Sequence, residues 1–190
     1  MGIQTSNGYL SGQLLIAMPQ MRDHRFARAV VYLCAHSATG AMGIVINRQF
    51  DGLTFSELLE QLEIDAKPGC EAIRVHFGGP VEAGRGFVLH SNDYVHETTT
   101  QVDGEVGLTA TVDVLKAISD GGGPKYRFLA LGYAGWGPGQ LDAEIRDNAW
   151  LTAPSDAELL FSPDLDRKWV KAIGKLGFDF TTLSAEAGHA

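Results

Sequence analysis

The sequence predicts a mixed α+β protein. Three observations predict it: short β-rich and short amphipathic runs follow one another in irregular order, two of the β-rich runs meet across a tight turn, and a glycine-rich corner converts an apolar strand into a helix. In chain order, Gln13 to Ala17 reads as a strand ended by Met18-Pro19, and Asp23 to Arg28 as about one helical turn. Ala29 to His36 and Met42 to Asn47 form an antiparallel hairpin through Ser37-Ala38-Thr39-Gly40. Thr54 caps a helix with the stripe Phe55, Leu58, Leu59 and Leu62, and Glu57 completes a capping box; Lys67-Pro68-Gly69 is read as its stop. Ile73 to Phe77, Gly86 to His90 and Val106 to Thr109 are strands, and Thr111 to Ser119 is a helix ended by Gly121-Gly122-Gly123-Pro124. Tyr126 to Tyr133 is a buried strand, Gln140 to Asp147 a helix and Trp150 to Thr152 a strand. Ser155 and Asp164 then cap two helices, the second carrying Trp169, Ile173 and Leu176 on one face.

The corner Gly132-Tyr133-Ala134-Gly135-Trp136-Gly137-Pro138-Gly139-Gln140-Leu141 is the least ordinary part of the chain. Glycine fits where φ is positive or where another group approaches the main chain closely, and proline fixes the turn beside it. The expectation is a shaped bend with Tyr133, Trp136 and Trp150 walling a recess.

Size and charge narrow the classes. At 190 residues the chain fits one domain over 1–190, or one domain with two lobes, and needs neither disulfide nor metal to fold. Hydrophobic residues make up 45% and no apolar run approaches the roughly 20 residues that span a bilayer, so no membrane association is expected. The first twelve residues lack a basic region followed by an apolar stretch and the two cysteines give no disulfide framework, which points to a cytoplasmic location. Met1 to Ser6 matches the short N-myristoylation pattern. The net charge is −8, with residues 1–95 at −2 and residues 96–190 at −6, which argues against direct nucleic-acid binding. Arg22, Arg25, Arg28 and Arg48 are the one candidate basic patch and read more readily as a solvated face.

Seven ordered blocks resemble the AlgH/YqgE family of poorly characterised bacterial proteins. They are Leu14 to Pro19, Ala29 to His36, Gly40 to Arg48, Gly78 to Val81, Gly86 to Ser91, Gly132 to Trp136 with Gly139-Gln140-Leu141, and the tail Gly188-His189-Ala190. His24 departs from the family's usual proline, and Asp142 from its usual glutamate. The resemblance implies a branched, mostly antiparallel, partly barrel-like sheet surrounded by helices. It carries no family-wide activity, cofactor or catalytic residue; some members are named as regulators of alginate biosynthesis, and nothing in this chain resembles a helix-turn-helix reader.

Cys34 and His36 lie two apart on a strand, on one face, so a thiol–imidazole pair is geometrically open, with His90 as a second base. A cysteine inside Val-Val-Tyr-Leu-Cys-Ala is more often a small buried hydrophobe. His24, His36, His76, His90, His96 and His189 show no metal-binding spacing, and no metal or other cofactor is expected. The corner lacks a P-loop lysine, and Asp142 and Glu144 place negative charge in the following helix, so a structural corner is favoured over an anion cradle. Asp142, Glu144 and Asp147 read as solvated acids. Asn47, Arg48, His90 and Ser91 are strand-end polar residues of the kind that line clefts and equally cap turns. The expectation is a non-catalytic binding or regulatory module whose cleft comprises Asn47, Arg48, Tyr133, Gly135, Trp136, Gly139, Gln140 and Trp150. Its partner would be a protein or small molecule. The alternatives are a hydrolase or thiol-dependent transferase using Cys34 with His36 or His90, and a transcriptional regulator acting through a partner.

Overall fold

The computed structural model describes residues 9–177; the Met1 to Ser6 pattern, His189 and the Gly188-His189-Ala190 tail lie outside them. The fold is α+β. Its strands are β1 (Gln13–Ala17), β2 (Val30–Ser37), β3 (Gly40–Val45), β4 (His76–Phe77), β5 (Val81–Ser91), β6 (Thr100–Gln101), β7 (Val106–Thr109), β8 (Arg127–Trp136) and β9 (Trp150–Pro154). Its helices are α1 (Phe55–Gln61), α2 (Val112–Ser119), α3 (Gln140–Arg146), α4 (Ala157–Phe161) and α5 (Lys168–Gly174), with short 3-10 turns at His24–Phe26, Cys70–Ala72 and Leu165–Arg167. The chain forms two compact units, one from residues up to Asn47 and from Ala134 onward, the other from Arg48 to Tyr133.

In the first unit the antiparallel order is β9-β1-β2-β3, with β3 continuing onto the last residues of β8. The β2–β3 hairpin requires glycine at its turn: Gly40 has φ 141°, and a Cβ there would sit 2.4 Å from the carbonyl oxygen of Trp136. The core is built from Leu15, Ala17, Val31, Leu33, Val45, Ala134, Trp136, Leu141 and Trp150. Helix α5 buries Trp169 and Ile173, and the Trp169 indole N–H donates to the carbonyl of Ala17 (2.8 Å).

In the second unit the order is β6-β7-β5-β8, all antiparallel, and β8 carries the two-residue β4 in parallel on its other edge. That second partner is the branch the family resemblance implies. The Gly78-Gly79-Pro80 turn passes β8 so closely that a Cβ on Gly78 would lie 2.3 Å from the carbonyl oxygen of Gly132, and one on Gly132 the same distance from that of Gly79. Gly132 also has φ 74°, so side chains are excluded twice over. Helix α1 has the expected capping box, Thr54 with Glu57, and packs Phe55, Leu58 and Leu59 against Val114, Leu115 and Ile118 of α2 and Val88, Leu129 and Leu131 of the sheet.

Several boundaries move. Helix α1 ends at Gln61, before the Lys67-Pro68-Gly69 stop, because Leu62 and Glu63 bond back onto the last turn and Glu63 takes φ 57°. The Ile73 to Phe77 strand shrinks to His76–Phe77, whereas β5 begins at Val81 rather than Gly86. Asp156, not Ser155, caps α4, its carboxylate accepting from Leu159 N–H (2.7 Å). Asp164 precedes a 3-10 turn without a side-chain cap, and α5 begins only at Lys168.

Candidate functional site

The glycine corner is tight, but its aromatic rings face inward. Trp136 and Trp150 are 7% and 1% exposed and meet edge to face with centroids 6.0 Å apart inside the first unit's core. The expected recess walled by these rings is therefore corrected: apolar burial draws both indoles into the interior. Tyr133 belongs to the second unit, half-buried and edge-on to Phe87. Gly135 is exposed on β8 opposite Met42. Gly139 takes φ 71° immediately before α3, and the Gln140 side-chain oxygen turns back to accept the Gly137 N–H (3.0 Å). The corner thus satisfies the Gly137 donor from its own side chain.

Cys34 is buried and its thiol donates to the Tyr32 carbonyl at 3.6 Å, while burial pushes its pKa far above the ordinary thiol range. A bulge between Leu33 and Ala35 interrupts the two-residue alternation, so the expected shared face of Cys34 and His36 does not follow from their spacing. His36 accepts the Leu10 N–H at Nδ1 (3.1 Å), which leaves the ring proton on Nε2, 3.5 Å from Asp142. That contact lacks hydrogen-bond alignment: Nε2 is buried and has no hydrogen-bond partner. With Nδ1 occupied by a main-chain donor, His36 is a poor base for any thiol. His90, in the other unit, is fully buried; it donates from Nδ1 to the Ser91 carbonyl and accepts the Thr109 hydroxyl at Nε2 (2.7 Å). The nucleophile set proposed from sequence is disarmed at each member.

The side chains of Asn47, His90 and Ser91 bond main-chain groups. Asn47 accepts the Val30 N–H (2.9 Å) and donates to the Arg28 carbonyl (2.8 Å), holding Arg28 at φ 56°. The Arg48 carbonyl accepts from Phe77 N–H, and burial lowers the pKa of its guanidinium. Of the arginines, Arg25 pairs with Asp23 (2.8 Å), and Arg28 lies over the Trp169 ring at 4.6 Å. Among the helix acids, Glu144 is raised by burial, opposed by a hydrogen bond from the Trp136 indole and reinforced by the charge of Asp23. Among the described residues no three His, Cys, Asp or Glu side chains gather as a metal site, and no helix is long and apolar enough to cross a membrane.

Two features escaped the sequence. Lys168 is fully buried and donates from Nζ to the carbonyls of Ile46 (2.9 Å) and Leu160 (2.8 Å), and burial lowers its pKa to about 7. The second is an apolar cavity of about 120 Å³ in the second unit. Leu58 of α1 and Leu62 just past its end, Gly84 and Gly86 of β5, and Val112 and Leu115 of α2 line it. Leu62 and Val112 are 38% and 39% exposed, two of the few large hydrophobic residues left uncovered. The pairing of β5 with β8 shifts register between Val81 and Gly86, and β7 joins β5 only from Val88, so among the described residues Glu82 to Arg85 bulge out of the ladder. The sequence held one hint: Leu62 extends the α1 stripe past the helix end, where no core remains to receive it.

The AlgH-like family model matches residues 14–181. The chain belongs to the AlgH-like family. A UPF0301 protein from Rhodospirillum rubrum is 54% identical over 188 residues, covering 99% of this chain and 98% of the relative. Another from Rhodopseudomonas palustris is 55% identical over 190 residues, covering 96% and 87%. The solution structure of the AlgH protein from Pseudomonas aeruginosa matches with TM-score 0.81 and 46% identity over 100% of both chains. A crystal structure from Corynebacterium diphtheriae shares the fold at TM-score 0.67 and 23% identity, covering 84% of this chain and 83% of the other. These AlgH-like relatives carry no established biochemical activity, so function must be argued from this chain's own geometry.

Proposed function

We propose that this AlgH-like protein is a non-catalytic binding module that engages a segment of another protein, and that any regulatory effect passes through that partner rather than through direct contact with DNA. The observation that carries this reading is the cavity of the second unit. It is aliphatic, glycyl and threonyl in lining, with no acid, base or thiol among its walls, and it lies beside exposed Leu62 and Val112. A reaction needs convergent reactive groups; a docking surface needs uncovered apolar area. The acidic balance of the chain supports the indirect regulatory route.

Crosslinking in the source cells followed by mass spectrometry tests the reading. Protein partners captured by the wild type should be lost with Leu62→Glu, which puts a charge at the cavity. Partners that ignore the substitution would overturn it, as would rapid alkylation of native Cys34 by iodoacetamide, since an accessible thiol would restore the transferase or hydrolase alternative.

A further inference from the structure

We propose that His36 is an acid-released latch: on gaining a second proton, its imidazole lets go of the Tyr9–Leu10 segment that precedes β1 and pairs with Asp142 of α3. The device belongs to the first unit and needs nothing of the cavity. Main-chain chemistry fixes its closed state. The Leu10 N–H can only donate, and it points at His36 Nδ1 (3.1 Å), so that nitrogen keeps its lone pair and the ring is neutral with its proton on Nε2. Tyr9 closes over the ring edge to face, with centroids 5.1 Å apart. The Nε2–H is buried and unbonded, 3.5 Å from an Asp142 oxygen. The His36 side chain is 1% exposed and that of Asp142 49%, so the carboxylate keeps its hydration while the imidazole donor has neither water nor a partner. An unmet buried donor is unfavourable, and the closed latch carries that deficit.

A second proton can bind only at Nδ1. The imidazolium has no lone pair in either ring orientation, so a ring flip cannot return an acceptor to Leu10, and two N–H groups are left facing each other where a hydrogen bond stood. At Nε2 the same event is favourable, because the new charge faces the Asp142 carboxylate and gives the unmet donor a charged acceptor. Of the other titratable and charged groups near the ring, Tyr9 contributes a neutral phenol from the N-terminal segment, and Glu144, the next acid of α3, takes the Trp136 indole N–H instead. The residue opposite His36 across the hairpin, Ala41, and its strand neighbours Ala35 and Ser37 carry no charge. The main chain also limits how far the latch opens. Gly12, at φ 85°, donates its N–H to the Leu33 carbonyl (2.7 Å), which ties the chain to β2 two residues beyond Leu10. Opening therefore stops at Gly12: β1 keeps its place between β2 and β9, while the His36 ring is uncovered to water.

Residue-resolved NMR of the full-length chain between about pH 8 and pH 5 is the test, with the His36 Cε1–H resonance reporting protonation and the Leu10 amide reporting the latch. As the ring gains its proton, the Leu10 amide should lose about tenfold or more of its protection against hydrogen exchange, corrected for the intrinsic rate, while the Gly12 amide keeps its own. The Tyr9 ring resonances should move in the same step. Asp142→Asn should carry all these changes together to lower pH, since the ring's proton then has no carboxylate to face. The wild-type titration decides alone if that variant does not fold. A Leu10 amide still protected after His36 has titrated would overturn the inference, and so would a His36 ring that stays neutral across the range. An unchanged midpoint in Asp142→Asn would overturn the role of Asp142. Loss of protection at Leu10 and Gly12 together would mean acid unfolding in place of a latch.

Discussion

Two glycine-rich stretches of this chain, Ala83-Gly84-Arg85-Gly86 and Ala134-Gly135-Trp136-Gly137, resemble each other in sequence and differ in what they do with their apolar neighbours. At the Gly132–Gln140 corner, glycines let the chain bend and the adjoining indoles turn inward, where Trp136 and Trp150 pack on each other. At Gly84 and Gly86, glycines leave space that no side chain of the second unit fills, while Leu62 and Val112 stay exposed beside it. Glycine density alone therefore does not mark a binding site; what distinguishes the two is whether the neighbouring apolar area finds a partner within its own unit.

Substitutions can break or sharpen that contrast. The largest effect belongs to Trp150→Ala, which should cost about 3–5 kcal/mol in urea unfolding because it empties a filled interior site. A loss below about 1 kcal/mol would mean the indole is not the packing element described. Next comes Lys168, the polar counterpart of the buried indoles. In the unfolded chain its amine keeps its proton up to about 10.5, whereas the folded chain releases it near 7, so between those values the unfolded state binds more protons and stability rises with pH. From pH 7 to about 8.5 the gain should approach about 2 kcal/mol, and it should vanish in Lys168→Met. Higher pH confuses the measurement, since Cys34 ionises only when unfolded, beginning near its ordinary value of 9.0, and acts in the opposite sense.

Smaller effects belong to the cavity. Leu62→Ala should cost at most about 1 kcal/mol, because its side chain is already partly hydrated. Gly84→Val should change stability by no more than about 0.5 kcal/mol, since an added Cβ there meets open space. Thermal and urea unfolding of the pair would check both. A large loss at either position would make the cavity a structural part of the core and remove the contrast.

Much of the fold was legible because its signals are local. The β-rich runs of β1 and β7, the capping box of α1 and the turn glycine of the hairpin each act within a few residues, and each appears where the sequence places it. The corner was legible as a bend but not as a packing arrangement. The Trp136 and Trp150 rings come from successive strands that do not pair with each other, and nothing local says whether an aromatic beside glycine faces solvent or core. Lys168 was invisible for the same reason: its acceptors, Ile46 and Leu160, come from elsewhere in the chain. The bulge at Cys34 likewise depends on register with β3, which spacing within β2 cannot reveal.

Asn47 holds a strained arginine by presenting opposite ends of one amide to two main-chain groups, an oxygen to Val30 and a nitrogen to Arg28. Deamidation exchanges a single NH2 for an oxygen and leaves the shape almost untouched, yet it would set a carboxylate against the Arg28 carbonyl it now bonds. Chemical ageing at this position would loosen the entry to β2 with no change in side-chain size.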